Sequence, residues 1–327
     1  MESPFSDPLK VLVPLDGSAL SAQAIDYAVA LSAREADIIL FSVLPPARPV
    51  RGLLGDVVVS AEGVRSRLRA DVTAELEKEA DRLCSETPGI VVSVSVMEGD
   101  PAEEIIHQAN AQSADLIVMA SHGRGAVGRL AYGSVTDRVA RAADVPVMII
   151  RPWETDHPSV SIDRLLVPLD ASDLASQAVP FAESLAKWLA VPMHLISVVD
   201  ISQLTSFSLA AGGMFSTELY SELIGGLRKK MEGQLGETAA PLRENGITVD
   251  WEIIDGRAVE VIENASRKGD VIVMTSHGRS GVGRWIIGSV AEKLARESLV
   301  PLIVIHSQQT KEAKDEQITT DAGTAVR

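Results

Sequence analysis

A long internal repeat constrains this chain more than any other feature of its sequence. Val13-Pro14-Leu15-Asp16 recurs as Val167-Pro168-Leu169-Asp170, 154 residues further on. Ala114-Asp115-Leu116-Ile117-Val118-Met119 is answered at an offset of 155 by Gly269-Asp270-Val271-Ile272-Val273-Met274. At that same offset Ser121-His122-Gly123-Arg124 returns as Ser276-His277-Gly278-Arg279, and Gly133-Ser134-Val135 as Gly288-Ser289-Val290. Solenoid repeats are only about 20–50 residues long, so a period of this size means two copies of a whole domain. The 327 residues suffice for two, each with a core of its own.

Each half reads as strands alternating with helices, the order that forces a parallel sheet covered on both faces. In the first half the spacing predicts strands near 10–15, 37–43, 90–96, 115–120 and 146–151. Between them Leu68, Val72, Leu76, Ala80 and Leu83 recur at steps of four and three, which is one face of a helix. The second half repeats this with Leu219, Leu223, Leu227, Met231, Leu235 and Ala239. Gly225, Gly226, Gly233 and Gly236 lie inside that helix, each costing up to about 1 kcal/mol against alanine, so frayed ends are expected. Five strands and four helices per half fit an α/β fold: two tandem flavodoxin-like (Rossmann-like) domains, each a five-stranded parallel sheet with helices on both faces. The expected boundaries are 1–152 for the first domain, 153–161 for a polar linker, 162–307 for the second domain and 308–327 for a disordered tail.

Composition narrows the function. Thirty Lys and Arg stand against 45 Asp and Glu, and a net charge of −15 with no basic block argues against nucleic acid as a partner. No apolar run approaches the roughly 18 residues a bilayer span needs, and the first eight residues lack the pattern of a secretory signal, so a cytoplasmic protein is expected. One cysteine, Cys84, suits a reducing compartment and reads as a helix-packing residue. Six scattered histidines offer no metal-ligand spacing, so no metal site is expected.

In an open parallel sheet, ligands bind beyond the carboxyl ends of the strands, where the strand order reverses. Two loops meet that condition. One carries Pro14, Leu15 and Asp16, with Pro168, Leu169 and Asp170 in the second half; the other runs from Ala120 to Gly133. The second is glycine-rich and ends with Gly133-Ser134 at a helix start, where free N–H groups and a partial positive charge suit a phosphate. A P-loop is excluded because the chain contains no Gly-Lys pair. The dinucleotide fingerprint formed by Gly123, Gly125 and Gly128 follows the fourth strand instead of the first, and Ser280 replaces its middle glycine in the second half, so it is coincidental.

With Val-Pro-Leu-Asp-Gly-Ser at 13–18, Met-Ala-Ser-His-Gly-Arg at 119–124 and Gly-Ser-Val at 133–135, the chain resembles the universal stress protein family, as a tandem pair spanning nearly its whole length. ATP-binding members of that family have a glycine, two residues, a second glycine, nine residues, and a glycine followed by serine or threonine. Gly123 and Gly278 match the second glycine, and Gly133-Ser134 and Gly288-Ser289 match the close; the first glycine is replaced by Ala120 in one half and Thr275 in the other. The resemblance implies ATP as cofactor, with Mg2+ as an optional companion. It assigns Asp16 and Asp170 to the adenine amino group, Val43 and Val198 to main-chain contacts with the base, and Met119 and Met274 to the ribose. Ser134, Ser289 and the amides of Val135 and Val290 would hold the terminal phosphates. It further implies that the halves pair as an internal pseudo-dimer through their last strands, Val147 to Ile150 and Leu302 to Ile305, and leaves a homodimer of the whole chain open.

Plainer readings stand beside these. Asp16 in Asp-Gly-Ser also suits a turn, Ser134 also suits a helix cap, and Met119 and Met274 also suit the core. His122 and His277 read as structural, and Arg124, Arg129, Arg279 and Arg284 as either solvated charges or a cationic rim for an anion. The reading that combines these is a stress-response protein that binds ATP in each domain and is not an enzyme. A slow nucleotide hydrolase and a nucleotide-free partner-binding stress protein are the alternatives.

Overall fold

The computed structural model describes residues 5–32, 35–51, 57–121, 133–151, 160–200, 217–276 and 288–306. The chain divides into two compact units, Met1–Val160 and Ser161–Arg327. The tail from 308 and linker residues 153–159 lie outside the described residues.

In the first unit the order is β1 (Leu9–Pro14), α1 (Ala19–Leu31), β2 (Ala36–Leu44), β3 (Val50–Arg51), β4 (Val57–Val59) and α2 (Ala61–Glu86), followed by β5 (Ile90–Glu98), α3 (Pro101–Ala111), β6 (Leu116–Ala120), α4 (Ser134–Ala142) and β7 (Val147–Ile150). Its main sheet runs β5-β2-β1-β6-β7 with every pairing parallel. β1 therefore lies between β2 and β6, and the order reverses there. Val11, Leu12, Val13, Ile38, Leu40, Ile117 and Val118 are buried, as expected where helices cover both faces of a parallel sheet. Burying a side chain of this size contributes roughly 1.5–3 kcal/mol each.

The second unit repeats the plan. It comprises β8 (Arg164–Pro168), α5 (Asp173–Ser176), α6 (Val179–Leu189), β9 (Met193–Val199), α7 (Thr217–Glu244), β10 (Val249–Asp255), α8 (Ala258–Ala265), β11 (Asp270–Thr275), α9 (Ser289–Glu297) and β12 (Leu302–Ile305). Its parallel order is β10-β9-β8-β11-β12. The first helix is split at Ala178, with Pro180 in the first turn of α6, where the missing N–H costs nothing.

α7 runs from Thr217 to Glu244 with the four glycines inside it, and Met231, Leu235, Ala239 and Leu242 bury one face. Several sequence expectations need correction. The apolar stripe is narrower than the periodicity implies. Leu68 and Leu223 are exposed, whereas Leu76, Ala80 and Leu83 are buried. Cys84 is exposed, so it is not a packing residue: one step past Leu83 rotates it by about 100° off the buried face. The β3–β4 hairpin was not anticipated; Val50, Val57 and Val58 on it are exposed.

The repeated aspartates Asp115 and Asp270 act at the opposite end of the sheet from the expected site. Asp115 accepts from the backbone N–H of Lys10 (2.8 Å) and of Ser6 (3.0 Å), tying β1 to the start of β6. Asp270 holds Arg164 in a two-pronged pair (3.0 and 2.6 Å) and accepts from the Arg267 N–H at 2.8 Å. That pairing, hydrogen bonds first, raises the Arg164 guanidinium above its usual range against the opposing effect of its burial. His194, one of the scattered histidines, is buried with its Nδ1 2.8 Å from Asp250 and its Nε2 2.9 Å from Glu252.

Candidate functional site

β1 ends at Pro14 beside Phe41 of β2, and the Leu15 N–H donates to the Phe41 carbonyl at 2.7 Å. The chain then turns through Gly17 at φ 74°, a left-handed conformation that glycine adopts without a Cβ penalty. Asp16 Oδ1 accepts the Ser18 N–H at 2.9 Å, and Ser18 Oγ accepts the Ser21 N–H at 3.1 Å, capping α1. The second unit builds the same turn. Leu169 N–H donates to the Ile196 carbonyl at 2.8 Å, Asp170 Oδ1 accepts the Ser172 N–H at 3.1 Å, and Ser172 Oγ caps α5 through the Ala175 N–H. Here Ala171 takes the left-handed place at φ 61°. Both aspartates therefore do serve their turns. The bond to the turn fixes the direction of each carboxylate, and the Ser172 hydroxyl adds a second bond to Asp170.

On the other side of the reversal, β6 ends at Ala120, paired with Ile150 of β7. The Gly133 N–H donates back to the Ser121 carbonyl at 2.7 Å, and Thr136 Oγ1 donates to the Ala120 carbonyl at 2.9 Å. α4 thus starts against the end of β6. A Cβ on Gly133 would stand 2.8 Å from the Ser121 carbonyl oxygen, so this close approach requires glycine. The second unit repeats the tie with the Gly288 N–H on the Ser276 carbonyl at 2.5 Å.

Gly133 and Gly288 are the N-caps of α4 and α9, and neither start has a side-chain cap hydrogen bond. This corrects the reading of Ser134 as the cap: Ser134 and Ser289 are first helical residues, one position inside. Their hydroxyls, with the amides of Val135 and Val290, lie at helix starts where N–H donors and partial positive charge concentrate.

The structure brings Pro14, Leu15, Asp16, Met119, Ala120, Gly133, Ser134 and Val135 to the carboxyl ends of β1 and β6 or the helix start beside them, and Pro168, Leu169, Asp170, Met274, Thr275, Gly288, Ser289 and Val290 to the equivalent place. Val43 and Val198 are half-buried near the ends of β2 and β9. Met119 is buried and Met274 half-buried, so core packing accounts for much of the first. Ala120 and Thr275 are both buried. Gly123, Gly278, His122, His277 and Arg124, Arg129, Arg279 and Arg284 lie outside the described residues. Among the described residues no cluster of His, Cys, Asp or Glu could hold a metal ion. A cavity of about 430 Å³ in the second unit, lined by Arg164, Glu252, Val261 and Arg267 among others, contains none of the candidate residues.

Sequence reasoning missed an ion pair beside the first site. Asp100 caps α3 by accepting from the Ala102 and Glu103 N–H groups, and Arg138 of α4 reaches it at 2.8 Å and Glu103 at 3.4 Å. The hydrogen bond from Arg138, then the backbone bonds, hold the Asp100 carboxyl below its usual range, and Arg138 is raised in turn. Asp100 directly before Pro101 is a helix-start signal, but its partner 38 residues away has no local signature.

The model of the universal stress protein family matches residues 9–151 and again 161–306. The chain belongs to the universal stress protein family. As a tandem member it is 34% identical over 146 residues to Universal stress protein MJ0531 of Methanocaldococcus jannaschii, covering 43% of this chain and 81% of that one. It is 25% identical over 243 residues to Universal stress protein Rv2005c of Mycobacterium tuberculosis, covering 72% and 77% of the two chains. Among solved structures, a universal stress protein from Archaeoglobus fulgidus shares the fold across 94% of this chain and 99% of its own, with a TM-score of 0.61 at 23% identity. No helix among the described residues is long and apolar enough to cross a membrane.

Proposed function

We propose that this tandem universal stress protein binds an adenine nucleotide, ATP with or without Mg2+, in each unit, and acts through nucleotide-linked conformation or partner binding. One observation carries the reading: in both units an aspartate held by its own turn and a helix start tied back to a strand end converge where the strand order reverses. Such a crevice suits a ligand with a base at one end and phosphates at the other. An aspartate acceptor favours the amino group of adenine over the carbonyl of guanine.

The same proposal has ATP held and not consumed. The acids repeated in both crevices, Asp16 and Asp170, are engaged by their turns and sit at the base end, away from where a hydrolytic water would attack. Turnover is then no faster than about one per minute, far below the roughly 1–1000 per second of typical enzymes. Pairing of the halves through Val147–Ile150 and Leu302–Ile305 belongs to this reading too, supported by strands that are apolar on both faces.

Isothermal titration of the full chain with ATP and GTP tests the binding. ATP binding at two sites, with GTP at least tenfold weaker, is expected; equal affinities remove the assignment of Asp16 and Asp170. Single-turnover assays with labelled ATP and magnesium test the second part, and rapid phosphate release would make the protein an enzyme.

A further inference from the structure

Matched by strand register, three uncharged positions of the first unit become a charged cluster in the second. His194 of β9 lies between Leu166 of β8 and Asp250 of β10. The same place in the first unit is Ile39, between Leu12 of β1 and Ser93 of β5, and Glu252 answers to Ser95. Ile39 and His194 are both buried, so a polar ring occupies an aliphatic position of the sheet and needs partners there. It has two, with Nδ1 2.8 Å from Asp250 and Nε2 2.9 Å from Glu252. An ionised carboxylate only accepts, so both ring nitrogens must donate and the ring holds both protons. A neutral imidazole has a single N–H, and its other nitrogen would turn a lone pair toward a carboxylate.

Glu252 has a second cation within its surroundings. It lines the 430 Å³ cavity together with Arg164. Arg164 spends Nε and Nη2 on Asp270 and on the Ala265 carbonyl, and among the described residues its Nη1 makes no hydrogen bond. Asp270 is its main partner, and the negative charges of Asp250 and Glu252 act on it as well. The cavity gives the Glu252 side chain room to turn. From α8 the cavity is faced by Val261, Asn264 and Ala265, none of them titratable, with Arg267 following the helix. Right-handed crossovers put α6 and α7 on the opposite face of the sheet, where they bury apolar residues such as Leu185 and Leu235.

We infer that His194 is a proton-operated clamp on the edge strand of the second unit. With both protons it ties β10 to β9 through Asp250 and Glu252. When one proton leaves to solvent, past the largely exposed Asp250, one carboxylate loses its donor, and Glu252 turns across the cavity to Arg164. The clamp therefore holds at the acid end of the imidazole range and opens as the pH rises through it. The first unit, with Ile39, Ser93 and Ser95 in the same places, has no such response.

Hydrogen-exchange mass spectrometry of the full chain at about pH 5.5 and about pH 8.5, on either side of the imidazole range, tests this once rates are corrected for intrinsic exchange. The variant is His194→Ile, which copies the first unit. In the parent the β10 amides should open about three- to tenfold more readily at the higher pH, the loss of one charge-assisted bond discounted for the exposure of its carboxylate. Peptides from β5 should not follow, and in His194→Ile the effect should vanish. Equal β10 protection of the parent at both pH values, or the same response in the variant, overturns the clamp. Nitrogen-15 shifts of the His194 ring in the parent decide independently, including the case in which the variant does not fold. Two protonated nitrogens at the lower pH and one at the higher support the clamp, whereas a ring unchanged between them overturns it.

Discussion

Gly133→Ala isolates the close approach of helix to strand in the first site. Gly133 has φ −61° and ψ 133°, a conformation alanine adopts without strain, so any cost must come from contact and not from the backbone. The added Cβ would meet the Ser121 carbonyl oxygen at 2.8 Å, with Thr136 Oγ1 at 3.5 Å. Backbone cannot swing aside as a flexible side chain does, so the start of α4 must shift by a few tenths of an ångström. That shift stretches the 2.7 Å bond from the Gly133 N–H to the same oxygen. Overpacking of one carbon costs about 1–3 kcal/mol and a weakened hydrogen bond about 1, so a loss near 2 kcal/mol is expected. Hydrogen-exchange mass spectrometry reads this locally, because 2 kcal/mol corresponds to roughly 30-fold faster opening of the β6 and α4 amides. Peptides from the second unit serve as an internal control and should not change. ATP affinity of the first site should fall with it. Unaltered exchange and unaltered ATP binding in the variant would refute the argument that this contact builds the site.

Ala171→Gly should stabilise the second unit by about 0.5–1 kcal/mol, the relief of a left-handed alanine at φ 61° less the added freedom of the unfolded chain; a lowered midpoint in thermal unfolding contradicts it. Thr136→Val removes the bond to the Ala120 carbonyl and should cost about 1–2 kcal/mol in urea unfolding, whereas the second unit carries buried Ala291 at that position and has no such bond to lose. Asp100→Asn keeps an N-cap but loses the charge paired with Arg138. Because the folded carboxyl titrates below its usual 3.8, its contribution is present above that pH and disappears as the pH falls through the lower folded value. Parent and variant should therefore differ in thermal midpoint at pH 7 and draw together as the pH falls below 3.8; a difference that persists undiminished in acid argues for lost cap geometry.

The five-stranded plan was legible because strands buried on both faces read as short apolar runs, and the repeat supplied each run twice. Leu116 to Met119 and Val271 to Val273 are examples in which burial and sequence agree. The β3–β4 hairpin left no such mark: its strands are only two and three residues long, with Val50, Val57 and Val58 exposed and Val59 half-buried. Cys84 shows the limit of periodicity from the other side, since adjacency to a core leucine in sequence is not adjacency on a helix. At the site, Asp16 and Asp170 could be located from the strand-end rule and the turn at Asp-Gly-Ser from its residues, whereas the bonds from the Ser18 and Ser172 N–H groups that orient the carboxylates are given by backbone geometry. The Asp100–Arg138 pair and the ties from Gly133 and Gly288 join residues brought together by the fold, and nothing nearby in sequence announces them.

The ties at Gly133 and Gly288 have a thermodynamic consequence for the segments they enclose. Each fastens the two ends of an eleven-residue stretch, 122–132 in one unit and 277–287 in the other, to a single carbonyl on the end of a central strand. Joining the ends of a flexible loop of that length costs about 2 kcal/mol of entropy before any further constant. The strand and helix meet that cost during folding, once, as part of the core. Changes of sequence or even of length within either stretch leave its two anchor points where strand and helix hold them, so they are expected to alter binding far more than folding.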